Sequence, residues 1–528
     1  MHVYILEVGM LAPQNLSPKP STVCGVLSIS MEGGSGSSSP CPLDKELSDQ
    51  IAVLLSPPSP ESIKDYYDEL MKTRKCNNLK INFSNSSGKA VYAIKEFEEG
   101  ELVLKDQILV AAQHSSNKVD CLVCSYCFHF IGSIELQIGR KLYLQELGLS
   151  ANKECKESLS RFPEKACTRV LDDIQKHSVS NGSHGIGSST YTNSKDNSIP
   201  TEVLHSLING NMSLPYTNLF ALPSIFDCPG GCKEEHYCSK LCTDLDWESF
   251  HSLLCTGRNT EPSKRDAILK FIEHSNGTND IFILAAKVIS YTILKFRKLK
   301  RLRFKENEKR AKLDDTDFPL LLEAWKPVSM GFKKRWWDCI ALPDDVDSSD
   351  EASFRMQLRD LAFTSLQLLK EAIFKDECAP LFSLEIYGHI IGMFELNNLD
   401  LVVASPVEDY FIHIDDLPSP EKVEAEKLTR PLLESLGDEY SVCCQGTGFY
   451  PLQSCMNHSC CPNAKAFKRD EDKDGQAIII AARPIVKGEE ITISYIDEDL
   501  PYDERQTLLA DYGFGCMCPR CLEEMPGM

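Results

Sequence analysis

Apolar residues recur along this chain in more than one rhythm, and each rhythm predicts a different element. Over 63–75 the positions Ile63, Tyr66, Tyr67, Leu70 and Met71 fall at helical spacing. Over 79–112 the pattern alternates instead: Leu79-Lys80-Ile81, then Ala90 to Ile94, then Leu102-Val103-Leu104, with turns at Asn85-Ser86-Ser87-Gly88 and Glu98-Glu99-Gly100. Alternating runs joined by glycine turns predict strands in a hairpin arrangement. Helical spacing returns over 263–375, first through Ile268, Leu269, Ile272, Ile281, Leu284, Val288 and Tyr291, later through Phe354, Leu358, Leu361, Leu366 and Leu369, with an acidic loop over 343–351. Residues 381–414 read as strand, punctuated by Gly388 and Gly392, with Asn397-Asn398 as a turn. A helix is predicted over 421–436 and stops at Gly437. A β-branched, period-two run follows at Glu490-Ile491-Thr492-Ile493-Ser494-Tyr495. Two stretches lack any rhythm. Residues 1 to about 60 hold a Gly/Ser/Pro-rich segment over 33–42 and Ser56-Pro57-Pro58-Ser59-Pro60, and residues 177–197 are rich in Ser, Gly and Asn; both are expected to be disordered. Met31 is a second candidate start.

Composition narrows the picture without deciding it. The chain has 528 residues, 42% hydrophobic and 25% charged, which is ordinary globular content and suggests two to four domains. A net charge of -21 argues against coating nucleic acid through a bulk field. It suits a basic peptide substrate, and equally suits plain solubility. The segment 295–312, KFRKLKRLRFKENEKRAK, is basic: a nuclear-localisation signal, a contact for phosphate or acidic protein, or a solvated helical face. The N-terminus has no basic n-region and Glu7 breaks its apolar run, so it is a poor signal peptide. The best apolar run, 281–294, is interrupted by Lys287 and too short to span a bilayer. Twenty-three cysteines then point to a reducing compartment, where clustered thiols bind metal more often than they pair.

Two constellations carry chemistry. Cys121, Cys124 and Cys127 form two overlapping CxxC pairs, and Cys228/Cys232, Cys238/Cys242 and His251/Cys255 follow. Eight such ligands suit two interleaved tetrahedral Zn²⁺ ions; Cys124 and Cys127 are the preferred first pair, with Cys121 as the spare. Reduced structural cysteines are the alternative. The second constellation is Asn457-His458-Ser459-Cys460-Cys461-Pro462-Asn463. Asn and Pro favour irregular backbone there, and the run ending in Tyr495 follows. Three further thiols, Cys516-x-Cys518-x2-Cys521, leave tetrahedral zinc one ligand short.

The array from YCS at 237–239 through Trp247 to His251-x3-Cys255 resembles a MYND zinc finger, with Cys228-x3-Cys232 where the family has Cys-x2-Cys. NHSCCPNA followed by GEEITISYID resembles the C-terminal half of a SET domain, and Gly88-Lys89-Ala90 its N-terminal half, with Ala90 replacing a glycine. The order of these pieces is similar to the SET-and-MYND lysine methyltransferases. VAAQ before the finger and GTGFYPLQSCMNHSC are similar to their short branch, with the plant trithorax-related SET proteins. The likeness covers roughly 79–523.

That resemblance implies an α+β fold: a SET β-fold split by an inserted MYND finger and a helical segment, closed by a cysteine-rich post-SET zinc site. The implied divisions are 1–62 disordered, 63–120 N-terminal SET, 121–255 finger with a disordered insertion at about 150–220, 256–380 helical insertion, 381–500 catalytic SET, and 501–528 post-SET. The chain stops at Met528, so the helical-repeat domain of longer relatives is expected to be absent. The cofactor implied is S-adenosylmethionine, at Lys89, Ala90, Asn397, Asn457, His458, Tyr495 and Phe514, with Phe514 stacked on adenine. The family draws a fourth ligand for Cys516, Cys518 and Cys521 from NHSC, here Cys460 rather than Cys461, giving a third zinc. Tyr495 is the implied catalytic residue, at the mouth of a channel whose desolvation lowers the substrate lysine below its free pKa of about 10.4. A core tyrosine with a satisfied hydroxyl is the alternative. The implied substrate is a histone or other basic protein, with a proline-rich peptide or transcription factor as a partner of the finger. No membrane contact and no sequence-specific DNA contact are expected. The location is the nucleus, with the cytoplasm also open. The competing function is a non-catalytic adaptor.

Overall fold

The alternation over 79–93 folds as a hairpin: Leu79 lies opposite Ala93 and Ser84 opposite Gly88, whose φ of +68° suits a residue without Cβ. In this computed structural model the described residues are 41–84, 88–148, 199–307, 317–343, 346–347, 349–469 and 471–525. Their strands are β1 (Leu79–Ser84), β2 (Gly88–Ala93), β3 (Leu102–Asp106), β4 (Val110–Gln113), β5 (Phe226–Asp227), β6 (His236–Tyr237), β7 (Asn398–Val403), β8 (Cys444–Phe449), β9 (Asn457–His458), β10 (Ala464–Ala466), β11 (Ala477–Ala481) and β12 (Glu490–Ile493).

The two ends of the sequence build the sheets together. The sheet orders are β1-β2-β12-β9, β10-β11-β3 and β4-β8-β7, so β2, β3 and β4 each pair with a strand from beyond residue 443. β2 and β3, expected to continue one hairpin arrangement, therefore lie in different sheets, because β3 pairs with β11 instead. Val91, Leu104, Met456, Ile479, Ile491 and Ile493 fill one core between these sheets. Buried Asp106 locks the join: its carboxylate pairs with Arg74 and accepts the Leu452 and Gln453 N–H groups at 2.7 and 2.9 Å.

A second, larger core is helical. It draws on helices Pro262–Thr278, Ile281–Asn307, Phe318–Ser329, Glu351–Ile373 and Leu384–Asn397. Among the described residues no helix is long and apolar enough to cross a membrane. Lys287, which interrupts the apolar run, donates from Nζ to the Ala111 carbonyl at 2.8 Å and so ties its helix to β4.

Three expectations are corrected. Of 381–414 only Asn398–Val403 is strand; Leu384–Asn397 and Pro406–Asp415 are helices, and the first of these is the larger surprise. Its residues are buried on every side, and an apolar run without a polar face cannot be assigned from periodicity alone. Its glycines serve packing rather than turns: a Cβ on Gly388 would stand 2.5 Å from the Trp337 ring, and one on Gly392 2.0 Å from the Lys334 carbonyl oxygen. Second, the supposed N-terminal disorder ends early. Helices Pro42–Glu46 and Ser48–Leu55 bury Ile51 and Leu54 in the helical core, and the Trp325 indole donates to the Leu54 carbonyl at 2.9 Å. Third, the C-terminal part of the insertion is ordered. Helix Thr201–Ile208 packs Leu204 and Leu207 with Ile134 and Ile138 of helix Ile134–Glu146. The segments 1–40 and 177–197 lie outside the described residues.

Candidate active site and metal centres

β9 is only two residues long, because Pro462 and the cysteines leave little regular backbone. Even so, Asn457 and His458 pair in parallel with Thr492 and Ile493 of β12. Side chains extend the pairing. Asn457 Nδ2 donates to Glu490 Oε1 at 2.8 Å. Asn463 Nδ2 donates to the Glu490 carbonyl at 2.8 Å while its Oδ1 accepts the Thr492 N–H at 2.9 Å, so a side-chain amide imitates a strand neighbour. Sequence reasoning gave Asn463 no role; its place directly after Pro462, where an amide can bridge irregular backbone, was the available signal.

The imidazole of His458 has two partners. Nδ1 accepts the Tyr495 N–H at 3.0 Å, and Nε2 stands 3.2 Å from Cys460 Sγ. An Nδ1 that accepts leaves the proton on Nε2, directed at the sulfur. Burial, and secondarily the Arg505 charge, pushes His458 down to about 4, so the ring is neutral near pH 7. Tyr495 lies two residues past the end of β12. Its hydroxyl donates to the Met456 carbonyl at 2.6 Å, and burial raises its pKa well above the usual phenol value. The proton is thus committed, and the oxygen's lone pairs remain available to an incoming N–H group.

Aromatic faces gather around this pair. The His458 ring lies 5.4 Å from Tyr495 and 6.0 Å from Phe514, and Tyr495 lies 5.2 Å from Tyr512. Phe514 is edge-on to Tyr495 at 6.3 Å yet 38% exposed, an aromatic face left open at the rim. Lys89 and Asn397 join through a loop that the sequence did not single out, residues 330–334. The Lys89 ammonium donates to the Met330 carbonyl, and Asn397 Nδ2 donates to the Phe332 carbonyl at 2.7 Å. Lys333 fixes this loop from inside by donating to the Val328, Ser329 and Gly331 carbonyls at 3.0, 3.0 and 2.8 Å. Burial and then Lys89 push it down to about 7. A Cβ on Gly513, at φ +91°, would sit 2.8 Å from Lys334 Nζ, so the loop also abuts the segment carrying Phe514. Ala90 is buried within β2, paired with Asn82.

Three metal-ligating groups form among the described residues: Cys124, Cys127, Cys238 and Cys242; Cys228, Cys232, His251 and Cys255; and Cys460, Cys516, Cys518 and Cys521. In each, the ligand atoms lie within 4.8 Å of one another. The edge of a tetrahedron with zinc–sulfur bonds of about 2.3 Å is roughly 3.8 Å. Measured separations fit: 3.5 Å for Cys127–Cys238, 3.7 Å for Cys228–Cys255 and 3.5 Å for Cys460–Cys521. The donor sets, all thiol or imidazole, suit zinc. Cys121 belongs to no group; its thiol faces the Val442 carbonyl at 3.4 Å. The extra residue in Cys228-x3-Cys232 is accommodated by glycine. Gly231 takes φ +74°, and a Cβ on Gly230 would fall 2.4 Å from Cys255 Sγ. Buried Arg505 was also missed. It donates to Cys521 Sγ at 3.8 Å, to the Leu500 carbonyl at 2.5 Å and to Glu524, which places a fixed cation against a sulfur-rich site.

Residues 88–496 match the family model described as SET domain. The chain is 59% identical over 481 residues to histone-lysine N-methyltransferase ATXR2 of Arabidopsis thaliana, covering 91% of this chain and 98% of that one. It is 24% identical to protein-lysine N-trimethyltransferase SMYD5 of Gallus gallus, over 54% of this chain and 64% of the relative. A shorter stretch, 20% of this chain and 27% of the relative, is 39% identical to histone-lysine N-methyltransferase ASHR2 of Arabidopsis thaliana.

Proposed function

The chain belongs to the SET domain family and is an S-adenosylmethionine-dependent lysine methyltransferase; from that premise we propose that it methylates histone lysine in the nucleus, with Tyr495 as its catalytic residue. The observation that supports the site assignment is the meeting of His458, Tyr495 and Phe514, with Asn457 beside His458 in β9. The residues fit the cofactor chemically: an open aromatic face at Phe514, amides at Asn457 and Asn397, and the Lys89 ammonium. Lys89, Ala90, Asn397, Asn457, His458, Tyr495 and Phe514 are the residues we assign to hold it, with Ala90 contributing backbone only. When bound, it supplies a methyl group already activated on a sulfonium centre.

The protein's own task is then positioning and dehydration. Tyr495 has spent its proton on the Met456 carbonyl, so its oxygen accepts an N–H of the substrate amine and fixes the direction of the nitrogen lone pair. A phenol held up by burial stays neutral, so it orients the amine and does not act as a phenolate base. Desolvation beside Tyr495 would lower the substrate lysine's pKa, so that its proton passes to bulk water before the amine is seated. Neutral His458 adds no charge to repel a cationic donor or substrate.

We assign zinc to all three ligand groups, the first two forming a MYND finger within 121–255 and the third a post-SET site. The similarity to a histone-lysine N-methyltransferase supports histone as the substrate class, and the net charge of -21 suits a basic tail. A proline-rich peptide or transcription factor is the partner we assign to the finger. Incubating the full chain with labelled S-adenosylmethionine and mixed histones, beside Tyr495→Phe, tests the reading. The expected outcome is histone labelling that falls on the order of 100-fold in the variant. No labelling of histones would overturn the substrate, and full activity in the variant would overturn the role of Tyr495.

A further inference from the structure

The reaction needs Tyr495 in register, yet Tyr495 lies beyond the end of its strand, where no ladder bond holds its N–H. That N–H is held by a side chain, His458 Nδ1, at 3.0 Å. The same ring reaches the Cys460 sulfur through Nε2 at 3.2 Å. Two donors thus meet two acceptors across one rigid five-membered ring. We propose that His458 is a positioning residue that couples the metal centre of Cys460, Cys516, Cys518 and Cys521 to Tyr495, so that metal binding at one end fixes the catalytic tyrosine at the other. This rests on the reading of those four thiols as zinc ligands.

The chemistry is one-directional in a useful way. A metal-bound thiolate is only an acceptor, so it would accept a hydrogen bond from Nε2–H and thereby set the tautomer. With the proton on Nε2, Nδ1 must accept, and the Tyr495 backbone N–H is the donor facing it. The Tyr495 carbonyl is in turn approached by the Tyr512 hydroxyl at 3.5 Å, so the N–H and the carbonyl of Tyr495 are each met by a side chain, His458 from β9 and Tyr512 from the C-terminal segment. Arg505 donates to the Cys521 sulfur, to Glu524 and to the Leu500 carbonyl; the imidazole is the group that bonds both the Cys460 sulfur and the Tyr495 N–H.

Two conservative variants separate the arms. His458→Gln keeps a terminal N–H donor for the sulfur and loses the acceptor near Cβ. His458→Asn keeps an acceptor near the Nδ1 position and loses the reach to Cys460. The full chain would be loaded with Co²⁺, whose thiolate charge-transfer bands count the sites, and metal transfer to a chelator would be timed. Coupling predicts that His458→Asn releases one of the three metals about 10-fold faster than the parent or more, while His458→Gln stays close to it. It also predicts that His458→Gln lowers kcat at saturating cofactor about 10-fold or more, a loss separate from any rise in cofactor KM that follows from changing a residue assigned to hold the cofactor. Parental release rates in His458→Asn, or parental kcat in His458→Gln, with three metals bound, would overturn the coupling alone. A parent that binds only two cobalt ions would overturn the ligand assignment and the coupling with it. Thermal unfolding of each variant identifies one that fails to fold, and the remaining arm then decides.

Discussion

The Cys124 and Cys228 clusters, which we assign to a finger, and the Cys460 cluster share ligand chemistry but serve different neighbours. The finger's thiols sit among their own loops, and its links to the rest of the molecule are structural. Gly475 N–H donates to the Cys127 carbonyl at 2.7 Å, and Ser290 Oγ donates to the Phe250 carbonyl at 2.6 Å. None of its ligands shares a partner with His458 or Tyr495 among the described residues. The Cys460 cluster instead takes one ligand from beside β9 and three from the C-terminal segment, with Phe514 two residues before Cys516. A metal in a finger stabilises a module; a metal here gathers the walls of a reaction site.

Ligand loss should separate the two most sharply. Cys521→Ser removes one of four donors from the cluster that touches His458 through Cys460. Methyl transfer is expected to fall on the order of 100-fold, with one zinc lost per chain by metal analysis. Cys242→Ser should also lose one zinc, but with an effect on transfer to free histone about tenfold smaller, because distant sites without shared partners act independently. Equal losses in the two variants would erase the distinction.

The next largest effect lies at the loop over 330–334. Gly392→Ala places a methyl 2.0 Å from the Lys334 carbonyl, against the loop that meets Lys89 and Asn397. Backbone must shift, at about 1–3 kcal/mol or more. The expected result is a lower Tm together with weaker binding of S-adenosylhomocysteine by calorimetry. The finger's zinc content should not change.

These walls differ in how well the sequence announces them. Asn457, His458 and Tyr495 were legible because rare polar residues stand in a fixed order around a β-branched run. The cysteines were legible because soft ligands come in short-spaced pairs. The loop over 330–334 was not, since its contacts run through backbone carbonyls, which any sequence supplies. Arg505 and Asp106 read as ordinary surface charges until folding buries them against Cys521 and the Leu452 N–H. Helix Leu384–Asn397 was misread for a related reason: a segment buried all round shows no period, and its glycines mark close packing that only the neighbouring Trp337 and Lys334 reveal.

Undocking the finger should be milder. Ser290→Ala deletes a buried hydroxyl bond to the Phe250 carbonyl, worth about 1 kcal/mol. Global stability should drop by that order in denaturant titration while kcat holds. A fall in kcat without a fall in stability would mean that the finger reaches the active site after all.

The smallest effect is a pH dependence confined to the active-site side. Glu395 is raised from 4.5 to about 7, chiefly by burial, against the Trp336 indole N–H that donates to it at 3.2 Å, and with Asp511 adding to the rise. A carboxyl whose folded pKa exceeds its unfolded value binds its proton more tightly when folded. Its contribution is therefore fully present below about 4.5 and is lost as pH rises through about 7. Glu395→Gln removes that slope. The Tm difference, parent minus variant, should be more favourable to the parent near about pH 5.5 than near about pH 8, the sign required by the raised pKa. Zinc affinity also changes over this range as thiolates protonate, but it changes in parent and variant alike and cancels in the difference. Asp511 belongs to the C-terminal segment that carries Phe514, so a slope that disappears in Glu395→Gln places the sensitivity in the active-site wall. A slope that survives there, and vanishes instead in Cys242→Ser, would assign it to the finger and reverse the contrast between the two regions.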